Sequence, residues 1–473
     1  MKYILQSDTI FMRKFIKRWD IFMSETDHKE NQIVNGIIWK QILIFFFPIA
    51  LGTIFQQIYN MADTIIVGRF LGTAALASVG GTASVVTYQI IMIFTGLSSG
   101  ATVIISQCFG AGDSERLHRG LHTAFAFAII TSIVISIAGW ISAPWILEIT
   151  KTPTEIIDSS TTYLRIYFLG VLATFLYNMG SSIMRAIGDS KRPLYYLIVC
   201  SILNIVLDLV FIIVFKMGIA GAAIATIISQ AVSASLILRS LTRDYTQLKL
   251  ELTKIRIHMP LLKAELRIGL PACLQTIMYG ITNIVIQTFV NSFDTTTVAA
   301  WAVLGKVDVI FWAVNGAFGI AVTTFCGQNF GAGKMERVYK SVRTSLIMAL
   351  IVGGSLLGTL AVLARPIFGL FTTDNAVVEI GVYMLLFMIP SYVVYIFVEI
   401  FTGALRGVGD VFIPTAITLC GVGLVRLPWL LIMTPIRKEL STVMISYPLA
   451  WAATALFMVP YYFYKKKRGF AHK

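Results

Sequence analysis

Apolar stretches of about 20 residues, each long enough to cross a hydrocarbon layer of about 30 Å, recur near 42–67, 74–105, 120–142, 160–183, 194–215 and 219–238. A charged connection from Arg239 to Arg267, which holds no spanning run, separates them from a second set near 264–289, 297–325, 344–363, 380–404, 411–433 and 443–463. The pattern predicts an all-α polytopic membrane protein with twelve transmembrane helices in two sets of six. Its expected divisions are a cytoplasmic extension (1–35), a first lobe (36–240), a cytoplasmic linker (241–263), a second lobe (264–464) and a basic tail (465–473).

Polar groups inside these runs are few, and each is expensive in lipid unless it is paired or used. The stretch from Asn204 to Thr226 places an amide, a carboxylate and a hydroxyl in otherwise apolar sequence. Asn204 and Asp208 are four apart and share one helix face. The Lys216-Met217-Gly218 break then reverses the chain, so that Asp208, roughly 12 Å before it, and Thr226, roughly 12 Å after it, reach one depth. In the first predicted helix Asp63 lies about 9 Å from the outer end, at a matching depth. Pro48 lies fifteen residues before it and is expected to kink the helix or let it bend. Burial among Ile, Val and Leu disfavours a charged carboxyl, and a second carboxyl nearby disfavours it further, so protonation near neutral pH becomes accessible. Sodium would instead need several oxygen ligands, and Asp63, Asp208, the Asn204 amide and the Thr226 hydroxyl supply four. The residues leave the choice of ion open.

The two halves repeat. QCFGAGDSERLHRG at 107–120 returns as QNFGAGKMERVYKS at 328–341, and MRAIGDSKRP at 184–193 returns as LRGVGDVFIP at 405–414, at the same offset. Six spans per half give the copies parallel topology about an axis along the membrane normal. The FGAG and RxxGD segments read as tight structural turns, with Arg185 expected to pair with Asp189, and Arg406 with Asp410, across each loop. The chemistry does not repeat. Asn204 and Asp208 fall on Val425 and Trp429, while the second half carries Lys306, Asp308, Glu399 and Arg426 in or near its spans; Lys306 and Asp308 are two apart and face different ways. A substrate cavity is expected near the first, seventh, eighth and tenth helices, where Gln56, Tyr59, Asn60, Asn283, Gln287, Asp308 and Trp312 present polar and aromatic groups to an amphipathic cation.

Composition agrees with the pattern: 57% of residues are hydrophobic and 13% charged, with a mean hydropathy of +0.79. The net charge of +14 is topological. With a cytoplasmic N-terminus, about 29 Lys and Arg fall on the inner side and about six outside, so both termini are expected in the cytoplasm. No basic and aromatic stripe of the kind nucleic-acid binding needs is present. Five scattered cysteines, with no CxxC pair, read as free thiols rather than disulfides or metal ligands. No motif for nucleotide hydrolysis, acyl transfer or zinc catalysis occurs, so an enzyme is not expected. Residues 1–35 mix Arg and Lys with Phe and Trp, which suits an amphipathic helix on the inner leaflet; the plainer alternative is that Met23 is the true start.

Taken together, the paired QxFGAG and RxxGD loops, the twelve-span repeat and the acidic first half resemble the multidrug and toxic compound extrusion (MATE) transporters, in particular their DinF-like branch, from about Lys40 to the C-terminus. The resemblance implies two six-helix lobes making a V around a central cavity. Pro48, Asp63, Asn204, Asp208 and Thr226 stand where that branch builds the cation site of its first lobe. It implies antiport, in which a proton or sodium ion enters and an amphipathic, often cationic, compound leaves across the cytoplasmic (inner) membrane. Small amphipathic molecules and membrane lipid are the expected partners, with no cofactor and no nucleic acid, and the chain is expected to act as a monomer. The alternative is a lipid-linked oligosaccharide flippase of the same superfamily, which would favour a strongly basic cavity where the first half shows buried acids.

Overall fold

The computed structural model describes residues 31–245 and 248–470. Among the described residues eleven helices are long and apolar enough to cross a membrane, and a bent pair taken as one span makes twelve. α1 (Ile38–Leu71), α2 (Thr82–Ala111), α3 (Ser114–Ile149), the broken α4, α5 (Lys191–Val214) and α6 (Gly218–Arg243) make the first set. α7 (Met259–Val290), α8 (Thr295–Gly331), α9 (Met335–Val362), α10 (Asn375–Gly407), α11 (Phe412–Ile436) and α12 (Ser446–Arg468) make the second. α4 is one span in two pieces, Thr154–Leu169 and Val171–Ala186, bent by 49° at Gly170. No strand occurs among the described residues.

The turns end where the sequence repeats. Gly112 and Gly333 take φ of +70° and +71°, and Gly188 and Gly409 take +101° and +86°, left-handed conformations that glycine adopts without a Cβ clash. The expected ion pairs across the RxxGD loops do not form. Asp189 instead caps α5 through the Lys191 and Arg192 amides, pairs with Arg192 at 3.5 Å and accepts from the Tyr245 hydroxyl at 2.6 Å. Asp410 pairs with Lys465 at 2.9 Å and accepts from Tyr461 at 2.7 Å. The neighbouring chain reaches each aspartate before its own arginine does.

Burial follows two large cores that exchange one helix segment each, with a small third cluster of Ile286, Val290, Leu430 and Val443. Ile42, Phe45, Phe46 and Ile49, from the first third of α1, belong to the core of the second half, where Phe46 stacks on Phe318 at 4.2 Å. Leu261, Ile268 and Cys273 of α7 belong to the core of the first half. Gly96, Gly100 and Gly269 let α2 and α7 touch backbone to backbone, as small residues do where membrane helices cross closely. α1 therefore spans both bodies, and Pro48 lies inside the segment held by the second core, with Ile49 and Ala50 still packed in that core before the helix passes to Ile66 and Val67 in the first.

One end of the molecule is fastened twice over. Gln107 Nε2 donates to Gly407 O at 2.9 Å, and the repeat-related Gln328 Nε2 donates to Ala186 O at 2.7 Å. Beside them a Cβ on Gly110 would lie 2.0 Å from Gln328 O, and one on Gly331 2.0 Å from Gln107 O. The two FGAG turns thus close against each other, each held by the other half's RxxGD loop.

The expectations for residues 1–30, an interfacial helix or a start at Met23, lie outside the described residues. Residues 31–35 are not part of a separate extension: Ile33 and Val34 are buried, and Arg337 donates to Ile33 O and Gly36 O at 3.0 and 2.8 Å. The linker expected over 241–263 is also shorter, since α6 runs to Arg243 and α7 starts at Met259. It is pinned to α3 through Glu251 N to His122 Nε2 (3.1 Å) and His258 N to Thr123 Oγ1 (3.1 Å).

Candidate functional site

α5 carries the first cluster. Asn204 and Asp208 occupy successive turns of one face, only 2% and 0% exposed, and α1 packs along this helix. Immediately after Asp208, residues Val210–Val214 wind as a π-helical turn, and Lys216 (φ +52°) and Gly218 (φ +60°) reverse the chain into α6. The carboxyls of Asp63 and Asp208 are neighbours. Apart from that contact, Asp63 Oδ1 and both Asp208 oxygens have no hydrogen-bond partner among the described residues, and neither do the two Asn204 amide atoms. Two neighbouring carboxylates, one buried and one half-buried, repel each other, and a proton or a cation between them would relieve that repulsion. Tyr163 of α4 stands beside both carboxyls, with Tyr59 and Tyr167 next to it.

The second feature is a cavity of about 480 Å³ between the halves, on the side away from the FGAG turns. α2, α7, α8, α10, α11 and α12 line it. Its wall is aromatic: Trp312 meets Tyr395 at 5.0 Å, Trp451 at 5.9 Å and Tyr392 at 6.0 Å. Asp308 faces this space and accepts a hydrogen bond from the Tyr392 hydroxyl, while its Oδ1 has no partner. Arg426, 1% exposed, lies over the Tyr447 ring at 4.0 Å. A carboxyl set among electron-rich ring faces is suited to an organic cation.

The family model described as MatE matches residues 48–210 and 271–432, both halves of the repeat. The chain belongs to the MatE family. A probable multidrug resistance protein, YoeA, of Bacillus subtilis (strain 168) is 30% identical, over 91% of this chain and 95% of its own length. The multidrug export protein MepA of Staphylococcus aureus (strain NCTC 8325 / PS 47) is 23% identical over 79% of this chain and 82% of its own. A solved structure described as the outward-facing conformation of a multidrug resistance MATE family transporter superposes with a TM-score of 0.86, at 22% identity, covering 94% of this chain and 99% of that one. That likeness establishes the two-lobed MATE fold. The protein thus belongs to a family of multi-pass membrane transporters.

Within this MATE fold, the sequence-predicted residues divide. Asp63, Asp208 and Asn204 converge. Thr226 is on the neighbouring α6, but its hydroxyl donates to Ala222 O at 3.1 Å, on its own helix, which leaves only its lone pairs for a ligand. Pro48 is within an unbroken α1. Asn283, Gln287, Asp308 and Trp312 line the cavity; Gln56, Tyr59 and Asn60 do not. Tyr59 is buried near Asp63 and Asn60 is exposed, and the cavity's first-half wall is α2, with Tyr88 and Gln89. Lys306 is exposed on another face from Asp308 and does not pair with it. All five cysteines are free. Sequence reading missed Tyr163 and the aromatic wall. Tyr392, Tyr395 and Glu399 on one face of α10, and Tyr447 and Trp451 on successive turns at the start of α12, were the available signals.

Proposed function

We propose that this protein exports amphipathic, largely cationic compounds across the cytoplasmic membrane, by alternating access driven by entry of a proton or sodium ion at Asp63 and Asp208. The facing carboxyl pair carries this reading. In an apolar body it holds one proton or cation at a time, and loading it changes the cost of keeping the outer part of α1 dry. The aromatic cavity with Asp308 takes the cationic substrate. α1 links the two events, because its first third is anchored in the second half and its last third in the first, and Pro48, inside the first anchored segment, is the hinge. Cavities open away from the fastened FGAG end correspond to an outward-facing state, with the termini cytoplasmic and the lobes forming a V. The acid pair favours the DinF-like branch, acting as a monomer without a cofactor. Both relatives above are named as multidrug proteins, which supports efflux over the flippase alternative.

The test is ethidium transport by purified protein in proteoliposomes under an imposed pH or sodium gradient. Asp208→Asn keeps the side-chain shape but cannot exchange a proton or neutralise an ion, so it is expected to fold and to lose gradient-driven transport. Transport by the variant at wild-type rate would refute the assignment.

A further inference from the structure

The carboxyl pair and the aromatic cavity leave two conspicuous charges unused. Arg185 and Arg406 are repeat-related residues of the RxxGD loops, and their aspartates are engaged by Arg192 and Tyr245 on one side and by Lys465 and Tyr461 on the other. Both arginines instead line a second cavity, of about 260 Å³, between the halves. Thr276, Tyr279 and Tyr395 border this space and the aromatic cavity alike, so the two are neighbours with a common wall. Arg185 donates to Ser182 Oγ at 3.2 Å, Arg406 Nε is buried without a partner, and neither forms an ion pair among the described residues. The one acid lining this cavity is Glu399, two turns before Arg406 on α10, with Tyr395 donating to it at 3.5 Å. Two guanidiniums against one carboxyl leave a surplus of positive charge whether or not Glu399 is ionised.

A cation at this depth is costly without a counter-charge, and a guanidinium fork matches a planar carboxylate with two parallel bonds. We propose that the inner cavity is an anion subsite: Arg185 and Arg406 receive the carboxylate of an aromatic zwitterion whose rings and cationic end occupy the outer cavity beside Trp312 and Asp308. Along α10, Tyr392, which holds Asp308, and Arg406 stand about 21 Å apart, so a ligand that passes the shared wall to reach both is an elongated drug-sized molecule. This inference rests on the proposed export function and specifies which residues hold the carboxylate of a zwitterionic substrate.

The experiment compares norfloxacin, which carries a carboxylate and an amine, with its ethyl ester, which keeps the amine alone. Binding is measured by competition with ethidium fluorescence on the full-length protein in lipid nanodiscs. The wild type is expected to bind the acid about tenfold or more tightly than the ester. Arg185→Gln and Arg406→Gln should each reduce that preference about tenfold while leaving the dissociation constants of the ester and of ethidium unchanged. If a glutamine variant does not fold, the lysine variant, which keeps the charge and loses the fork, replaces it and should show a partial loss. Equal wild-type affinity for acid and ester, or variants that weaken both alike, would overturn the subsite. Ethidium export with no acid preference removes the subsite alone, whereas failure to bind or export ethidium removes the export reading itself.

Discussion

Replacing Gly110 with alanine should pry open the fastened end. The added Cβ would lie 2.0 Å from Gln328 O, 2.6 Å from its carbonyl carbon and 2.7 Å from its Cα. Carbon contacts are comfortable near 3.5 Å, so the two turns must separate by about 1 Å or more, and the obstructing atoms are backbone that no rotamer change can move. Overpacking of this kind costs about 1–3 kcal/mol, and losing the adjacent Gln328 to Ala186 bond adds about 1 kcal/mol. If that cost falls on the closed state alone, the population open at this end rises at least fivefold. The assay is the distance between spin labels at Glu115 and Glu336, exposed repeat-related sites at the starts of α3 and α9, in a Cys420→Ser background because the other four cysteines are buried. Gly331→Ala, which meets Gln107 O at 2.0 Å, should behave alike. Gly354→Ala, a helical site with open space around it, is the control for the chemical change itself. Distance distributions and melting temperatures for Gly110→Ala that superimpose on wild type would show that the turns are not held as tightly as this geometry requires.

Pro48→Ala should abolish the ion-dependent change in distance between labels on the outer ends of α1 and α7; if that change persists and transport continues, the proline serves packing alone. Asp308→Asn should weaken ethidium binding roughly tenfold, read by fluorescence titration, with little effect on an uncharged aromatic probe; equal losses for both would place the effect in cavity shape instead of charge. Gln107→Ala and Gln328→Ala should each lower stability by about 1–2 kcal/mol, visible as a drop in melting temperature in nanodiscs, and unchanged melting of both would disprove the paired fastening.

Much of this protein can be read from the chain by itself. Twelve apolar runs determine twelve spans, because in lipid every backbone group must be satisfied within its own helix. The offset between the two FGAG and two RxxGD segments determines a parallel repeat, and the four-residue spacing of Asn204 and Asp208 puts them on one face whatever surrounds the helix. Other features needed the tertiary structure. Asp63 meeting Asp208, with Tyr163 beside both, joins three helices distant in sequence. Gln56 and Asn60, expected in the cavity, stay outside it while α2 takes their place. Arg185 and Arg406, expected to close their own loops, turn into the space between the halves because Arg192, Tyr245, Lys465 and Tyr461 claim the aspartates. In a soluble protein the apolar face of a helix points inward and fixes its rotation. Here the lipid side and the protein side are both apolar, so hydrophobicity shows where a helix crosses but not which face turns in, and that rotation is set only by contacts such as Gly96 and Gly100 against α7.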